Sequence, residues 1–331
     1  MNERYAQFLR NQPWALRADV LKALMLWSAG ATYTPRPVGV TLDAATKRSA
    51  GARAGTVAVV PVYGMITQHP DLFMEFFGMG TSTDSIRAAL REVVGDPGVA
   101  GVLLDVDSPG GSVVGVDELA AEIRVMGESK PILALANGSA DSAAYWLAAS
   151  ATETWMIPSG EVGSIGVFAS HEDLSGMLEQ MGVKMTLISA GKYKTEGNPY
   201  EPLSDEAKVE IQARVDTYYS SFKAAVAKGR GVSVSKVEKD FGQGRVVMAK
   251  DALAAGMVDK VGTFDEAVAR LASGKVSGAA KARATALPDG VLMITVPAEG
   301  MDITVHAGEV VEITPVEDPE AEVRRRKWAH R

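Results

Sequence analysis

The run from Val99 to Val106 constrains the fold more than any other part of the chain. It is apolar except at Gly101 and Asp105, and it is short, as strands are. A strand that is covered on both faces of a parallel sheet has such a nearly continuous apolar run. A strand with one solvent-exposed face instead alternates between apolar and polar residues. The run therefore predicts a central strand with helices packed on both of its faces.

Predicted strands and helices alternate on both sides of this run. Strands are predicted from short β-rich segments and helices from apolar residues spaced by three and four. Strands interleaved with helices imply βαβ units around a mainly parallel sheet, which is an α/β fold. The predicted strands are 56–63, 99–106, 131–136, 154–157, 165–169 and 183–189. The predicted helices are 84–94, 116–126, 142–150, 173–181, 204–228, 233–240, 249–255 and 264–272.

The two ends of the chain differ from this central pattern. Residues 14–29 have helical spacing that ends at Gly30, and a polar connector follows. The chain beyond residue 274 begins small and polar and then has short alternating runs at 291–296, 303–306 and 310–313. We therefore predict a helical N-terminal extension and linker over 1–55, a central domain over 56–274 and a small C-terminal β-appendage or tail over 275–331.

The composition of the chain excludes several functions. Its 331 residues include no cysteine, which excludes disulfides, a thiolate nucleophile and cysteine-ligated zinc. Its net charge of -7 argues against nucleic-acid binding, which needs a concentrated positive patch. The basic cluster from Arg324 to Lys327 lies at the extreme C-terminus and is typical of a solvated tail or a protein contact.

The sequence also argues against a membrane protein. The most apolar early segment, Val20 to Gly30, contains a lysine and is shorter than the roughly 20 apolar residues of a membrane helix. No N-terminal stretch has the charged, apolar and small-residue order of a signal peptide. We therefore expect a soluble, cytoplasmic protein with no membrane or nucleic-acid partner.

A glycine pair follows the central strand directly, in the segment Asp107-Ser108-Pro109-Gly110-Gly111-Ser112. Glycine tolerates φ values that other residues do not, so backbone N–H groups here can turn outward. In an acyl-transfer enzyme such N–H groups bind the developing oxyanion. The simpler interpretation is a tight strand-to-helix turn, which the glycine pair alone favours.

A second motif is Asn137-Gly138-Ser139-Ala140-Asp141-Ser142-Ala143-Ala144-Tyr145. Here a predicted strand ends and a helix begins near Ser142, which exposes a hydroxyl at the end of the strand and at the positive end of the helix dipole. The alternative is that Asp141 or Ser142 only caps the helix, and the pattern by itself favours the cap.

A third motif is Gly191-Lys192-Tyr193-Lys194-Thr195, which follows the predicted strand 183–189. A lysine acts as a base only when neutral, and lowering its pKa by about 3 units takes roughly 4 kcal/mol of desolvation and neighbour effects. Burial beside a nucleophile in an apolar cleft supplies such a change. The alternative is that both lysines are solvated loop charges.

The histidines and the acidic residues give little indication of a catalytic base or of a metal site. The four histidines are His69, His171, His306 and His330. None has a setting typical of a catalytic base, although spacing alone does not dismiss His171, and no two form the i, i+4 pair of a helical zinc site. Asp105 and Asp107 are as easily loop-capping groups as metal ligands. We therefore predict neither a metal nor a cofactor.

Taken together and in this order, these segments resemble the signal peptide peptidase A family of Ser/Lys peptidases. The fold of that family is similar to the Clp protease and crotonase superfamily, and the resemblance covers about residues 55–272. The segments that carry it are Ser108-Pro109-Gly110-Gly111, Ser142-Ala143-Ala144-Tyr145, Gly163-Ser164-Ile165-Gly166-Val167, and Tyr193-Lys194-Thr195 with Pro199 and Leu203-Ser204 downstream.

The resemblance implies a role for five residues. Ser142 takes the place of the nucleophile and Lys194 that of the general base. Gly110 supplies one N–H of the oxyanion hole and Ala143 a second, and Ser164 hydrogen-bonds the lysine.

Two positions depart from the family's pattern. The family usually has two glycines after the nucleophile, where this chain has Ala143 and Ala144, a change that matters little on a helix. Asp141 replaces a small residue, and a carboxylate near Lys194 favours the charged lysine and weakens it as a base. We therefore expect Asp141 to point away as a helix cap.

The resemblance implies a serine endopeptidase. Membrane-anchored members carry a transmembrane helix, and an acidic chain without one looks more like the head-maturation proteases of tailed phages. Such an enzyme cleaves scaffold, capsid or portal proteins inside the assembling prohead, in the host cytoplasm. Members with a single repeat form rings in which serine and lysine meet across a subunit boundary. We therefore expect a homo-oligomer with Ser142 and Lys194 from neighbouring protomers.

The sequence leaves three competing functions open. The first is a cellular, cytoplasmic peptidase of the same family that degrades peptides. The second is a crotonase-like acyl-CoA enzyme, which uses backbone N–H groups as an oxyanion hole and needs no Ser142/Lys194 pair. The third is an assembly protein that keeps the fold without activity, to which only Asp141 points.

Overall fold

The strand predicted from the apolar run, β5 (Val99–Ser108), lies at the centre of the main sheet. The computed structural model describes residues 13–17, 56–70 and 80–273, and the backbone of 284–286 and 292–295. Strand β5 pairs in parallel with β2 (Thr56–Tyr63) on one side and with β7 (Ile132–Asp141) on the other. Both of its neighbours were predicted as strands.

Helices cover both faces of this sheet. Leu104 packs in one apolar layer with residues of α1 (Thr83–Gly95), α2 (Val116–Ser129) and α3 (Ala143–Ala148). Its neighbour Leu103 packs in the opposite layer, against a later helix, α8 (Phe264–Ala272). Successive side chains of a strand point to opposite faces, so a continuously apolar strand fills both layers. The prediction of an α/β protein with a doubly covered central strand is confirmed.

Six shorter strands extend this sheet. They are β8 (Glu153–Met156), β9 (Glu161–Gly163), β10 (Val246–Met248), β11 (Lys260–Val261), β12 (Ala284–Ala286) and β13 (Leu292–Thr295). Among the described residues the order is β10-β9-β7-β5-β2-β13-β12. The first half of β7 also pairs in parallel with β8, which pairs with β11. β13 confirms the predicted run at 291–296, and the runs at 303–306 and 310–313 lie outside the described residues.

A second, smaller sheet is built on the glycine pair. Its central strand is β6 (Gly110–Ser112), which follows β5 after Pro109 and pairs with β3 (Met65–Thr67). The described order is β1-β6-β3-β4, with β4 (Gly80–Ser82) on the far edge. Because β6 continues from β5, this sheet lies at the carboxyl end of the main sheet.

The edge strand β1 (Trp14–Leu16) corrects the prediction of a helix over 14–29. It pairs antiparallel with β6, and its three residues are at most 3% exposed. Helical and strand spacing cannot be distinguished over three residues, and burial against distant parts of the chain determines the structure here. Residues 18–29 lie outside the described part of the chain.

The remaining helices follow the predicted order. They are α4 (Ser175–Gln180), α5 (Asp205–Arg230), α6 (Val234–Asp240) and α7 (Ala249–Ala255). Two predicted strands are wrong. Residues 165–169 contribute only a single bridge, between Phe168 and Trp14, and residues 183–189 form no strand. Residues 183–189 are exposed, and no strand of the described part of the chain pairs with them, so their β-rich composition is not enough to form one.

The helix α3, which follows β7, is held from behind by α5. The rings of Trp146 and Phe222 stack with their centroids 4.5 Å apart. A Cβ on Gly229 would overlap the carbonyl oxygen of Ala149, so only glycine allows this close approach of the two backbones. At the end of α5, Arg230 binds both carboxylate oxygens of Asp259 at 2.8 and 2.5 Å. The first two contacts hold the middle and the end of α3 against α5.

Candidate active site

Ser142 lies at the sharp turn between β7 and α3. Its φ and ψ are 55° and -118°, a conformation that costs a serine of the order of 1–3 kcal/mol and is concentrated at functional sites. Two backbone hydrogen bonds hold the turn. The Ser142 N–H donates to the Gly163 carbonyl at 2.7 Å, and the Ser142 carbonyl accepts from the Trp146 N–H at 2.9 Å. A serine on such a strand-to-helix turn has the geometry of a nucleophile elbow.

The hydroxyl of Ser142 is buried and has no hydrogen-bond partner among the described residues. It accepts no capping hydrogen bond from α3, so the interpretation of Ser142 as a mere helix cap is wrong. Leaving a buried hydroxyl unpaired costs about 1–3 kcal/mol and calls for a functional explanation. A hydroxyl that is kept unpaired in a strained turn is available to react.

Asp141 does not cap the helix, so the expectation of a cap is wrong. It is the last residue of β7 and its side chain is fully buried. Its carboxylate lies 3.6 Å from the guanidinium of Arg17. A buried carboxylate has to be paired, and here the partner comes from the N-terminal segment rather than from the first turn of α3.

Gly110 lies directly against this turn. A Cβ at its position would overlap the carbonyl oxygen of Ala15 and would lie 2.9 Å from both the Asp141 carbonyl oxygen and the Cβ of Ser142. Its φ of 94° also favours glycine, so no other residue fits. Its N–H donates to the Ser108 hydroxyl at 3.2 Å, a long hydrogen bond that an arriving oxyanion can replace.

Ala143 and Ala144 follow the nucleophile position inside the apolar core and are fully buried. Ala143 is the first residue of α3, and N–H groups in the first turn of a helix have no acceptor within the helix. The Ala143 N–H is therefore free of the helical hydrogen-bond ladder. Both positions are helical, so alanine fits where the family has glycine.

Lys194, unlike these buried residues, lies on the surface of the protein. It is in the turn after Gly191, its side chain is exposed, and it makes no side-chain hydrogen bond or ion pair within the described residues. Ser142 is only 1% exposed. A buried hydroxyl without a partner and an exposed lysine are not in contact, so a single chain does not bring the two predicted catalytic residues together.

The neighbouring Lys192 differs from Lys194. Its ammonium donates to the Tyr193 hydroxyl at 2.7 Å and to the Glu206 carboxylate at 3.2 Å. These hydrogen bonds raise the pKa of Lys192 above its ordinary value. Lys192 therefore stays protonated, and it is the poorer candidate for a base.

Lys194 belongs to an exposed segment, residues 171–203, which we call the arm. Its only regular element is α4, and the rest is turn or extended backbone. Ile188 is 95% exposed. Five other apolar side chains of the arm are at least 43% exposed: Met177, Met181, Val183, Met185 and Leu187. A segment with several large exposed apolar side chains is a candidate protein interaction surface.

The run Gly163 to Val167 lies against the nucleophile turn. Gly163 accepts the Ser142 N–H, and the next residue, Ser164, has a φ of 52° and donates its N–H to the Arg245 carbonyl at 2.9 Å. Two residues with positive φ in succession turn this segment sharply. Ser164 is thus held beside the turn of Ser142, and its predicted hydrogen bond to Lys194 stays a prediction.

The other polar candidates have structural partners. His69 pairs with Asp84 at 2.7 Å, and His171 contacts the Asn198 carbonyl at 3.0 Å. Asp105 accepts a hydrogen bond from the Tyr63 hydroxyl, and burial raises the pKa of Asp105. Within the described ranges no three His, Asp or Glu side chains are grouped to hold a metal ion. His306 and His330 lie outside them.

The sequence patterns did not reveal the residues around β1. Ala15 contacts Gly110, and Arg17 pairs with Asp141 and Glu161, so the segment 14–17 borders the site. The helical spacing of 14–29 concealed this. No local signal identifies a three-residue strand whose partners are distant in the sequence.

The fold and this turn define an α/β protein with a serine elbow beside a glycine N–H, the geometry of serine hydrolases. The model of Peptidase family S49 matches residues 125–277. This part of the chain is therefore similar to that family, and the names of several relatives agree with the match.

Three relatives represent the range of similarity. "Capsid assembly protease C" of Escherichia phage lambda is 31% identical over 80% of this chain and 58% of the relative. "Head-tail preconnector protein GP5" of Enterobacteria phage P21 is 36% identical over 66% and 43%. "Putative signal peptide peptidase SppA" of Enterococcus faecium is 32% identical over 54% and 52%. The chain thus spans between two fifths and three fifths of the length of these relatives. Within its described part, no helix has the length and apolarity to cross a membrane.

Proposed function

We propose that the chain is a serine endopeptidase with a Clp protease/crotonase-like fold, in which Ser142 is the nucleophile and Lys194 the general base. The observation that carries this proposal is the buried, unpartnered Ser142 hydroxyl in a strained turn beside Gly110. The similarity of residues 125–277 to a peptidase family supports the same reaction. The reaction needs neither a metal nor a cofactor.

The proposed reaction is acyl transfer through Ser142. The neutral amine of Lys194 takes the proton of the Ser142 hydroxyl as its oxygen attacks the carbonyl carbon of the substrate. The N–H groups of Gly110 and Ala143 stabilise the negative charge on the carbonyl oxygen, and one such donor contributes about 10²–10³-fold in rate. Protonated Lys194 then gives this proton to the amine leaving group of the cleaved peptide bond. Water finally hydrolyses the ester that Ser142 has formed with the rest of the substrate.

We propose that the lysine comes from a neighbouring protomer. Lys194 is exposed on an arm whose apolar side chains are also exposed, which supports a contact with a second copy of the chain. Burying the amine in such a contact favours the neutral form that base catalysis needs. In this proposal Ser164, which follows Gly163 beside the Ser142 turn, hydrogen-bonds the incoming lysine.

For the substrate, we propose scaffold, capsid or portal proteins that are cleaved during phage prohead assembly in the host cytoplasm. The support is the similarity to the lambda capsid assembly protease and to the P21 head-tail preconnector protein. The second candidate is a cellular peptidase that degrades peptides, which the similarity to the Enterococcus protein favours.

An acyl-CoA enzyme and an inactive assembly protein have less support. A crotonase-like acyl-CoA enzyme needs no strained, unpartnered serine at this turn. An inactive assembly protein was indicated only by Asp141, whose charge Arg17 offsets.

The test compares Ser142→Ala with Ser139→Ala, a serine near the end of the same strand whose hydroxyl contacts Asp107. Both variants and the wild type are incubated with capsid and scaffold proteins, and mass spectrometry identifies the products. We expect Ser142→Ala to lose activity by on the order of 10⁴-fold or more, because it removes the nucleophile, whereas Ser139→Ala stays within a few-fold. A fluorophosphonate probe should label only chains with Ser142. Wild-type rates in Ser142→Ala would overturn the proposal.

A further inference from the structure

Strand β1 fills a gap between two segments that flank Ser142. On one edge it runs antiparallel to β6, with Ala15 opposite Gly111. On the other edge the Trp14 N–H donates to the Phe168 carbonyl at 2.8 Å, and the Phe168 N–H returns a hydrogen bond at 3.0 Å. Residues 14–16 therefore lie in a groove with hydrogen-bonding backbone on both sides. Addition of a strand to such backbone edges is a common way to bind an extended polypeptide.

The groove passes over the nucleophile. The carbonyl oxygen of Ala15 occupies the space next to Gly110 where a Cβ would stand, and the Cβ of Ser142 borders the same space at 2.9 Å. In acyl transfer, the substrate carbonyl has to lie between the nucleophile and the oxyanion donors. The main chain at Ala15 thus lies where a substrate's main chain would lie.

The side chain of Arg17 lies on a pair of carboxylates at the end of this groove. Its Nη1 is 2.6 Å from Glu161 Oε1 and 3.6 Å from Asp141 Oδ2, and its backbone N–H donates to the Pro109 carbonyl at 3.2 Å. Asp141 is fully buried, and removing the cation from a buried carboxylate is costly. The two carboxylates therefore form an acidic subsite for a basic side chain two residues after Ala15.

We propose that residues 14–17 occupy the polypeptide groove as an internal ligand, and that the subsite of Asp141 and Glu161 selects a basic side chain in the substrates that replace them. The inference rests on the proposed function of Ser142. It gives the groove a substrate class: an extended polypeptide with a small residue over Ser142 and Arg or Lys two positions later. The internal strand has to leave before another polypeptide enters.

The first experiment measures the docking of residues 14–17 without catalysis. Hydrogen–deuterium exchange is followed in full-length Ser142→Ala, alone and combined with Arg17→Glu or with Arg17→Lys. We expect slow exchange around Trp14 and Phe168 in Ser142→Ala and in the lysine variant. Exchange there should be at least about tenfold faster in the glutamate variant, because its charge repels Asp141 and Glu161.

The amides of β5 serve as an internal control for folding, since they should stay protected in all three proteins. Exchange of residues 13–17 at the rate of an unstructured peptide in Ser142→Ala would overturn the proposal. Equal protection in the Arg17→Glu variant would overturn the acidic subsite.

The second experiment measures selectivity with two fluorogenic peptides that contain Trp-Ala-Leu-Arg or Trp-Ala-Leu-Glu. We expect kcat/KM to favour the arginine peptide by about tenfold or more in the wild type, the range of a charge-assisted contact, and by less in Glu161→Gln. Cleavage of both peptides at equal kcat/KM would overturn the acidic subsite while leaving the proposed function in place. Absence of cleavage and of fluorophosphonate labelling would instead count against the proposed function, and the exchange experiment would still decide the docking.

Discussion

The turn that carries Ser142 and the arm that carries Lys194 are built in opposite ways. The turn is buried and braced from behind by the stacked rings of Trp146 and Phe222. The arm contains one short helix, and its apolar side chains face solvent, with Ile188 almost fully exposed. The apolar side chains around the turn pack against other parts of the same chain. The large apolar side chains described for the arm are instead largely exposed to solvent. This difference supports the proposal that one chain supplies the Ser142 side of the site and a neighbouring protomer supplies Lys194.

The largest effect is expected from mixing two inactive proteins, Ser142→Ala and Lys194→Ala. If serine and lysine meet between protomers, about a quarter of the sites in a random one-to-one mixture pair an intact serine with an intact lysine. Peptide hydrolysis should therefore recover from background to about a quarter of the wild-type rate. The measurement is hydrolysis after subunit exchange.

The matched control mixes Ser142→Ala with the double variant Ser142→Ala/Lys194→Ala, which should stay inactive. Native mass spectrometry shows whether mixed oligomers have formed. A dead mixture in which mixed oligomers are present would place the dyad within one chain and remove the contrast between turn and arm.

An intermediate effect is expected when the bracing of the turn is weakened. Asp259→Ala leaves Arg230 buried without its partner and removes the acceptor of the Thr154 N–H. We expect the free energy of unfolding to fall by about 2–3 kcal/mol, less than for a fully buried pair because Asp259 is partly exposed. Chemical denaturation at low protein concentration measures it.

Ile188→Asp is the matched variant on the arm. Because Ile188 is 95% exposed, the free energy of unfolding of the single chain should change by less than about 0.5 kcal/mol. Activity should nevertheless fall if the arm is an interface. Equal destabilisation by the two substitutions would contradict the division into a braced turn and an unsupported arm.

The smallest effect concerns Asp105, which is buried in the central strand β5. Burial raises the pKa of Asp105, so the folded state holds its proton more tightly than the unfolded state. Stability is therefore lost as the pH rises from the ordinary pKa near 4 through the raised value. Asp105→Asn, whose amide oxygen still accepts from Tyr63, should be the more stable protein at pH 7. Thermal melts of both proteins should converge below pH 4, and parallel curves at every pH would argue against this explanation.

Sequence patterns predicted the parts of the fold that local physics determines. The apolar run at 99–106 gave the central strand, because a strand covered on both faces has to be apolar throughout. The placement of Ser142 at a strand-to-helix boundary was also correct. Its strain and its unpaired hydroxyl could not be predicted, because both depend on Gly163 and Gly110, which reach the turn only through the tertiary fold.

The errors in the predicted strands and helices share one cause, which is strand pairing with distant partners. Residues 14–16 have helical spacing, yet β6 and Phe168 make them a strand. Residues 183–189 have the composition of a strand, yet nothing in the described chain pairs with them. Strand propensity reflects packing against neighbours, so a sequence without knowledge of the neighbours cannot decide either case.

The covalent tie between β1 and its groove has a consequence for competition. A ligand that belongs to the same chain as its site acts at an effective concentration that can reach the millimolar range. A free polypeptide of equal affinity for the groove, at micromolar concentration, would rarely displace residues 14–17. A polypeptide crowded against the enzyme at a similar local concentration would displace them often. If β1 is an internal ligand, a substrate's local concentration near the enzyme therefore decides, more than its intrinsic affinity does, whether it is cleaved.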